Sequence, residues 1–273
     1  MIALLVRKQK TDLAIEITSA AIRVNPQNQN LAERYLDLVA SEGPEQEVAR
    51  VFDELEALFP TDVVIPLRRA RWLSRTGQAD EAQSIFVRLL KSHPLWYDLH
   101  HAYGRFFLRL EKWADAKKEF EIALTLHKGH QMAHEGKALA LRGLAAQAEE
   151  AGKFGQANGY VKKAETHFRS AIYWAGINLK PTARFYTSIG WFYLDQGRAE
   201  EALFFFEAAM AEAPEHFPNY WGKGAALKLL GRPAEAIMAL EVALSKAPQP
   251  LESPAKEAIP HLLEKCKKDL GTS

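Results

Sequence analysis

Through most of this chain apolar residues recur three and four positions apart, in runs broken by glycine or proline. The stretch GQADEAQSIFVRLLKSHP (77–94) shows the pattern, and GRAEEALFFFEAAMAEAP (197–214) and GRPAEAIMALEVALSKAP (231–248) repeat it. In each, glycine opens a helix of small and apolar residues and proline closes it. Glycine tolerates the left-handed backbone of a tight turn, and proline lacks the amide hydrogen that would continue the helix. A second apolar stretch at the same spacing precedes each glycine, so each unit reads as two antiparallel helices about a turn. Gly197 and Gly231 are 34 residues apart, as are Gly43 and Gly77. A fixed period of that length marks an array of helical repeats, in which no pair buries its apolar face alone and neighbouring pairs share a core.

The residues at these positions resemble the tetratricopeptide repeat (TPR) family over nearly the whole chain. In the unit 183–216, Tyr186, Gly190, Tyr193, Gly197, Ala202, Phe206, Ala209 and Pro214 match its pattern, and in 217–250 Tyr220, Gly224, Leu227, Gly231, Ala236, Leu240, Ala243 and Pro248 do so. Unit 63–96 contributes Ala70, Leu73, Gly77, Ala82, Phe86 and Pro94. Unit 97–130 contributes Gly104, Phe107, Trp113, Ala116, Phe120 and Ala123, with Glu111 and Lys128 where glycine and proline are usual. Unit 29–62 is looser, with Leu36 and Val48 at the two small positions, and 1–28 keeps only Ala14, Ala21 and Pro26 of a degenerate unit. Residues 251–273 read as a polar capping helix. The resemblance implies an all-α, right-handed TPR superhelix, an α-solenoid of six antiparallel pairs and a C-terminal cap, as one domain over 1–273. Small pairs such as Gly104 with Ala116 and Gly190 with Ala202 are expected to let the two helices of a pair approach. Phe86, Phe120 and Phe206 are expected to fill the gap to the next pair.

One unit is long. From Gln131 to the next repeat at Ala183 there are 52 residues in place of 34. The surplus divides into seven residues before Gly152, seven between Ala157 and Ala164, and four in the NLKP connection. Seven residues are about two helical turns, so the apolar face stays in register and the pair, 131–182, stands proud by about 10 Å with Phe154 at its tip.

Composition narrows the function. A net charge of +1 argues against a general nucleic-acid binder, and the single Cys266 excludes an internal disulfide framework and fits a reducing compartment. MIALLVRKQK has the wrong order and length for a secretory signal, and no apolar run approaches the roughly 18 residues a bilayer requires. The expectation is a cytoplasmic protein, unless an upstream targeting segment exists. WGKG at Trp221 lacks the spacing and hydroxyl of a phosphate-binding loop, no nucleophile elbow occurs, and Cys266 reads as a bystander thiol despite Lys265, Lys267 and Lys268. His127, His130 and His134 are close, and His100 and His134 share one repeat position. With no Cys or tight carboxylate set beside them they read as packed, hydrogen-bonded rings rather than metal ligands. No enzyme, cofactor or metal is expected.

What remains is a surface. In TPR arrays the first helix of each pair lines a concave groove, and the groove-facing positions here carry Arg68, Arg71 and Arg75, then His101, Arg105 and Arg109, then Arg142 (with Glu135 against the trend), Arg184, Trp191 and Trp221. Residues 63–110 hold eight Lys/Arg against three Asp/Glu, while 29–62 hold two against nine. Guanidinium clusters suit carboxylates, so the expected partner is a protein offering an acidic segment, with Phe154 as a second contact. The asparagine of the family's chaperone-tail clamp is replaced at its ninth position by Asp37, Arg71 and Arg105, which argues against that ligand. The competing readings are a self-assembling subunit, joined through apolar residues near Leu4, Leu5 and Leu13, and a recruitment module of a larger signalling protein. Single-stranded nucleic acid is a minor alternative, opposed by the acidic 29–62 segment.

Overall fold

The computed structural model describes residues 11–25, 28, 31, 34–36, 38–39, 45–178, 183–248, 250–251 and 253–271. Leu4, Leu5, Pro26, Asp37 and most of the NLKP connection lie outside these, as does the side chain of Leu13. Regular structure among the described residues is entirely helical. The chain divides into two compact units, Met1–Leu110 and Glu111–Ser273.

The first unit contains α1 (Thr11–Val24), α2 (Glu45–Leu58), α3 (Val64–Arg75), α4 (Ala79–Ser92) and α5 (Tyr97–Arg109). Asp62 starts α3 by accepting the Ile65 amide at 2.7 Å, and Gly77, at φ +86°, makes the turn into α4. Each helix buries an i, i+3, i+4 stripe, as Ala82, Ile85, Phe86 and Leu89 show in α4. Phe86 is wholly buried, its ring 5.0 Å from Tyr103 and 5.5 Å from Phe106, so an aromatic of one pair plugs onto the first helix of the next. On another face Arg69 of α3 reaches Asp53 of α2 (2.6 Å) and Glu81 of α4 (3.2 Å), answering part of the acidic surplus of the preceding segment.

The second unit contains α6 (Trp113–Leu126), α7 (Gln131–Glu150), α8 (Phe154–Asn178), α9 (Ala183–Asp195), α10 (Ala199–Glu212), α11 (Phe217–Leu229), α12 (Pro233–Lys246) and α13 (Ala255–Asp269). Here the plugs sit against glycine. A Cβ on Gly136 would stand 2.3 Å from the Phe120 ring, and on Gly222 and Gly190 it would stand 2.2 and 2.8 Å from Phe206. Phe206, fully buried, is therefore gripped by α9 and α11 together. Helix α7 has 20 residues and α8 has 25, against 13 and 14 in α9 and α10. So α8 takes eleven of the surplus residues, more than the seven expected of it. Residues 149–156 at the tip are exposed, Gly152 turns the chain at φ +70°, and Phe154 is 66% accessible. At the other end α13 is less polar in role than its sequence suggests. It buries Ala255, Ile259 and Cys266 against Leu227 and Leu240. Burial pushes the Cys266 thiol up, with Lys228 working against the shift and Asp269 adding to it, which keeps the thiol protonated and inert.

Two substitutions test this account by chemical denaturation. Gly222→Ala forces a buried ring to move and lowers stability by about 1–3 kcal/mol; an unchanged midpoint would refute the close approach. Glu111 adopts φ +55° at the turn position that glycine fills elsewhere, a left-handed backbone costing about 1 kcal/mol for a residue with a Cβ. Glu111→Gly therefore raises stability by about 0.5–1 kcal/mol, the gain trimmed by glycine's greater freedom in the unfolded chain.

Candidate partner-binding surface

In the first unit, Arg68, Arg71 and Arg75 fall at i, i+3, i+7 along α3, and Asp98, His101, Arg105 and Arg109 at i, i+3, i+7, i+11 along α5. Both spacings return to one helix face, and α3 packs beside α5. Arg109 crosses between them, its Nη1 donating to Ser74 Oγ of α3 at 3.3 Å. Atoms crowded around the Arg71 guanidinium lower its pKa, with Asp98 opposing the shift and Arg68 and Arg105 adding to it. Burial, then Arg105 and Arg75, lower that of Arg109. The arginines are thus one another's electrostatic neighbours. Among the described residues, no carboxylate lies within ion-pair distance of Arg71, Arg75 or Arg109. Arg75 and Arg109 also lie in the last turns of their helices, where positive charge offsets the helix dipole. His101 is buried beneath this face rather than displayed on it.

The arginines expected further along behave differently. Arg142 of α7 pairs with Asp195 of α9, and Arg184 reaches Glu135 at 3.4 Å. Glu135 is 1% exposed and also accepts from Ser188 Oγ at 2.9 Å, so it is the buried counter-charge of this corner rather than an exception on a basic stripe. Next to it Thr187 donates to Asn219 Oδ1 at 2.6 Å, a wholly buried link between α9 and α11. Trp191 and Trp221 meet edge to face, 5.0 Å between centroids, and Trp191 also packs edge-on against Phe206. Both indoles are half-buried, leaving part of each to solvent. The second unit therefore shows paired charge and aromatic surface where the first shows clustered arginine.

The histidines have structural partners. His100 Nε2 donates to the Pro94 carbonyl at 2.9 Å, and His134 Nε2 to that of Lys128 at 3.0 Å. Tyr220 does the same to Pro214 at 2.9 Å. These rings occupy the same repeat position, and each tethers the carbonyl six residues back, tying a first helix to the connection that precedes it. His130 Nδ1 accepts the Ala133 amide and caps α7. A carbonyl only accepts, so His134 keeps its proton on Nε2 and its Nδ1 accepts a hydrogen bond from His167 Nδ1–H, 3.0 Å away on α8.

Asp98, Ser74 and Asp195 were missed in the sequence because they are ordinary surface residue types with no motif. For Asp98 the signal was present in its spacing of seven and eleven residues from Arg105 and Arg109. For Asp195 and Glu135 nothing local announces a partner about fifty residues away.

The geometry defines a class first: antiparallel helix pairs repeated along the chain, with charged and aromatic surface on their first helices, make a helical-repeat fold. The tetratricopeptide repeat family model matches residues 193–255. Similar solved structures include a tetratricopeptide repeat protein from Parabacteroides merdae (18% identity, TM-score 0.67, covering 97% of this chain and 95% of the other) and the TPR protein TTC0263 from Thermus thermophilus (20%, 0.60, 77% and 99%). The human IFIT1 dimer with m7Gppp-AAAA is also similar (14%, 0.73, 96% and 65%). At these identities the likeness is one of fold. No curated protein sequence matches. The fold is the α-solenoid of these tetratricopeptide repeat proteins, and residues 193–255 carry the family's sequence pattern. No described helix is long and apolar enough to cross a membrane.

The histidine pair sets a pH dependence. Burial pushes His167 down to about 4, with Lys137 and His134 adding to the shift and Glu121 opposing it. Burial also lowers His134, the Lys128 carbonyl opposing and Lys137 and His130 adding. The folded state holds both rings neutral, so their contribution is complete above about pH 6.5, the unfolded value, and is lost as pH falls toward 4. Urea titrations should show stability flat above pH 6.5 and falling below it by about 1.4 kcal/mol per pH unit for each proton the unfolded chain alone binds. His167→Phe should flatten the curve between pH 6.5 and 4.5, above the range where Glu121 and Glu165 titrate; an unchanged slope would refute the assignment.

Proposed function

We propose that this protein is a non-enzymatic adaptor that captures an acidic segment of a partner protein on the arginine face of α3 and α5. The observation carrying the proposal is the convergence of Arg68, Arg71, Arg75, Arg105 and Arg109 on one face, with Arg109 reaching across to Ser74. Like charges held together in this way favour a bound anion, and the planar guanidinium fork matches a carboxylate in two hydrogen bonds. In the second unit, Trp191 and Trp221 offer apolar contact, and Phe154 at the hairpin tip offers a further one. Arg142 and Arg184 play no part in this reading, because Asp195 and Glu135 already answer their charge. The setting we favour is cytoplasmic, on the strength of a lone and buried cysteine.

Nucleic acid is the rival ligand, since IFIT1, alike in fold, is recorded with m7Gppp-AAAA. The near-neutral total charge and the acidic residues of 29–62 disfavour it here.

Changing Arg71, Arg105 and Arg109 together to Glu tests the proposal, read by fluorescence anisotropy with a labelled Glu/Ala peptide. The expected result is a loss of more than about tenfold in affinity with an unchanged melting temperature, and weaker wild-type binding as salt rises. Equal binding by a folded triple variant would overturn it.

A further inference from the structure

The arginine face has an internal order that specifies the shape of its ligand. The 34-residue period sets Arg71 opposite Arg105 and Arg75 opposite Arg109, at matching levels of two first helices that run in the same direction. The structure bears the registration out on both levels. Arg109 bonds to Ser74, the neighbour of Arg75, and each of Arg71 and Arg109 has the opposite arginine among its electrostatic neighbours. The result is a ladder of two rungs, each made of one guanidinium from α3 and one from α5. The rungs are four helical residues apart, about 6 Å at 1.5 Å per residue.

We infer that the ligand is an extended chain segment bearing two carboxylates two residues apart, one seated on each rung; this rests on the reading above that the face takes an acidic segment. In an extended chain, residues two apart lie about 6.6–6.8 Å from each other and point to the same side, so one pair of carboxylates meets both rungs at once. Adjacent carboxylates point to opposite sides. Carboxylates three apart point to opposite sides and stand about 10 Å from each other. A helical ligand also spaces carboxylates at i and i+4 by about 6 Å. But a cylinder about 10 Å across rides over the outer side chains instead of entering between helix axes about 8–10 Å apart.

The two rungs differ in strength. Asp98 lies two turns along α5 from Arg105 and three from Arg109, and its charge opposes the shift of Arg71, so the Arg71/Arg105 rung is partly compensated and the Arg75/Arg109 rung dominates. Asp98 also repels a third carboxylate beyond the Arg71 end, which limits the recognised feature to a pair.

The test uses the full chain and fluorescein-labelled Ser/Gly peptides of one composition, holding two aspartates adjacent, with one intervening residue or with two intervening residues. An Ala-based helical peptide with aspartates at i and i+4 and an oligoadenylate complete the set. Anisotropy at low ionic strength should show the peptide with one intervening residue binding about tenfold more tightly than its isomers. Arg109→Gln should weaken it more than Arg71→Gln. Equal affinity among the isomers, or tightest binding by the helical peptide, would overturn the spacing and leave acidic-segment capture standing. No binding by any acidic peptide, or binding of oligoadenylate alone, would overturn both.

Discussion

The contact on which the second unit depends is an aromatic ring pressed against a glycine. Phe206 of α10 lies against Gly190 of α9 and Gly222 of α11, and Phe120 lies against Gly136. Neither contact leaves room for a Cβ. Gly190 shares a pair with Phe206 and sets the approach within it, whereas Gly222 and Gly136 belong to the pair after their ring's, so those two contacts set how far apart successive pairs stand. The first unit reaches the same end with rings alone, Phe86 among Tyr103 and Phe106. Once that distance is held, first helices line up side by side, and residues one repeat apart meet at matching levels. The position-matched rings His100, His134 and Tyr220 add a second tie, each holding a carbonyl within the preceding connection.

This side-by-side alignment turns a one-dimensional period into surface chemistry. On α3 and α5 it brings arginine beside arginine. On α7 and α9 the same alignment brings Arg142 to Asp195 and Arg184 to Glu135, and the field is consumed internally. The difference lies in one or two residues per helix. Arg69 illustrates the same economy, since one residue along α3 from Arg68 it faces Asp53 and Glu81 and serves as a structural tie.

Much of this was legible in the sequence. The helix pairs, the turns at Gly77, Gly197 and Gly231, and the burial of Phe86, Phe120 and Phe206 all followed from periodicity and backbone preference, which are local properties. The elongated pair was legible too, although the division of its surplus was not: α8 extends to Asn178, and nothing in its sequence breaks the helix sooner. The arginine positions were legible as a stripe. The pairing of Arg142 and Arg184 was not, because each of those ion pairs depends on a residue far along the chain.

The sequence by itself determined the repeat, the helix boundaries near glycine and proline, and the types of side chain each first helix presents. These depend on hydrogen bonds and apolar spacing within a few turns of helix. The tertiary structure alone decided that Glu135 is buried beneath Arg184, that Arg109 bridges to Ser74, and that Gly136 and Gly222 are the sites of closest approach. Those outcomes depend on distances between helices, which are set by packing volume across pairs and leave no mark in the local pattern.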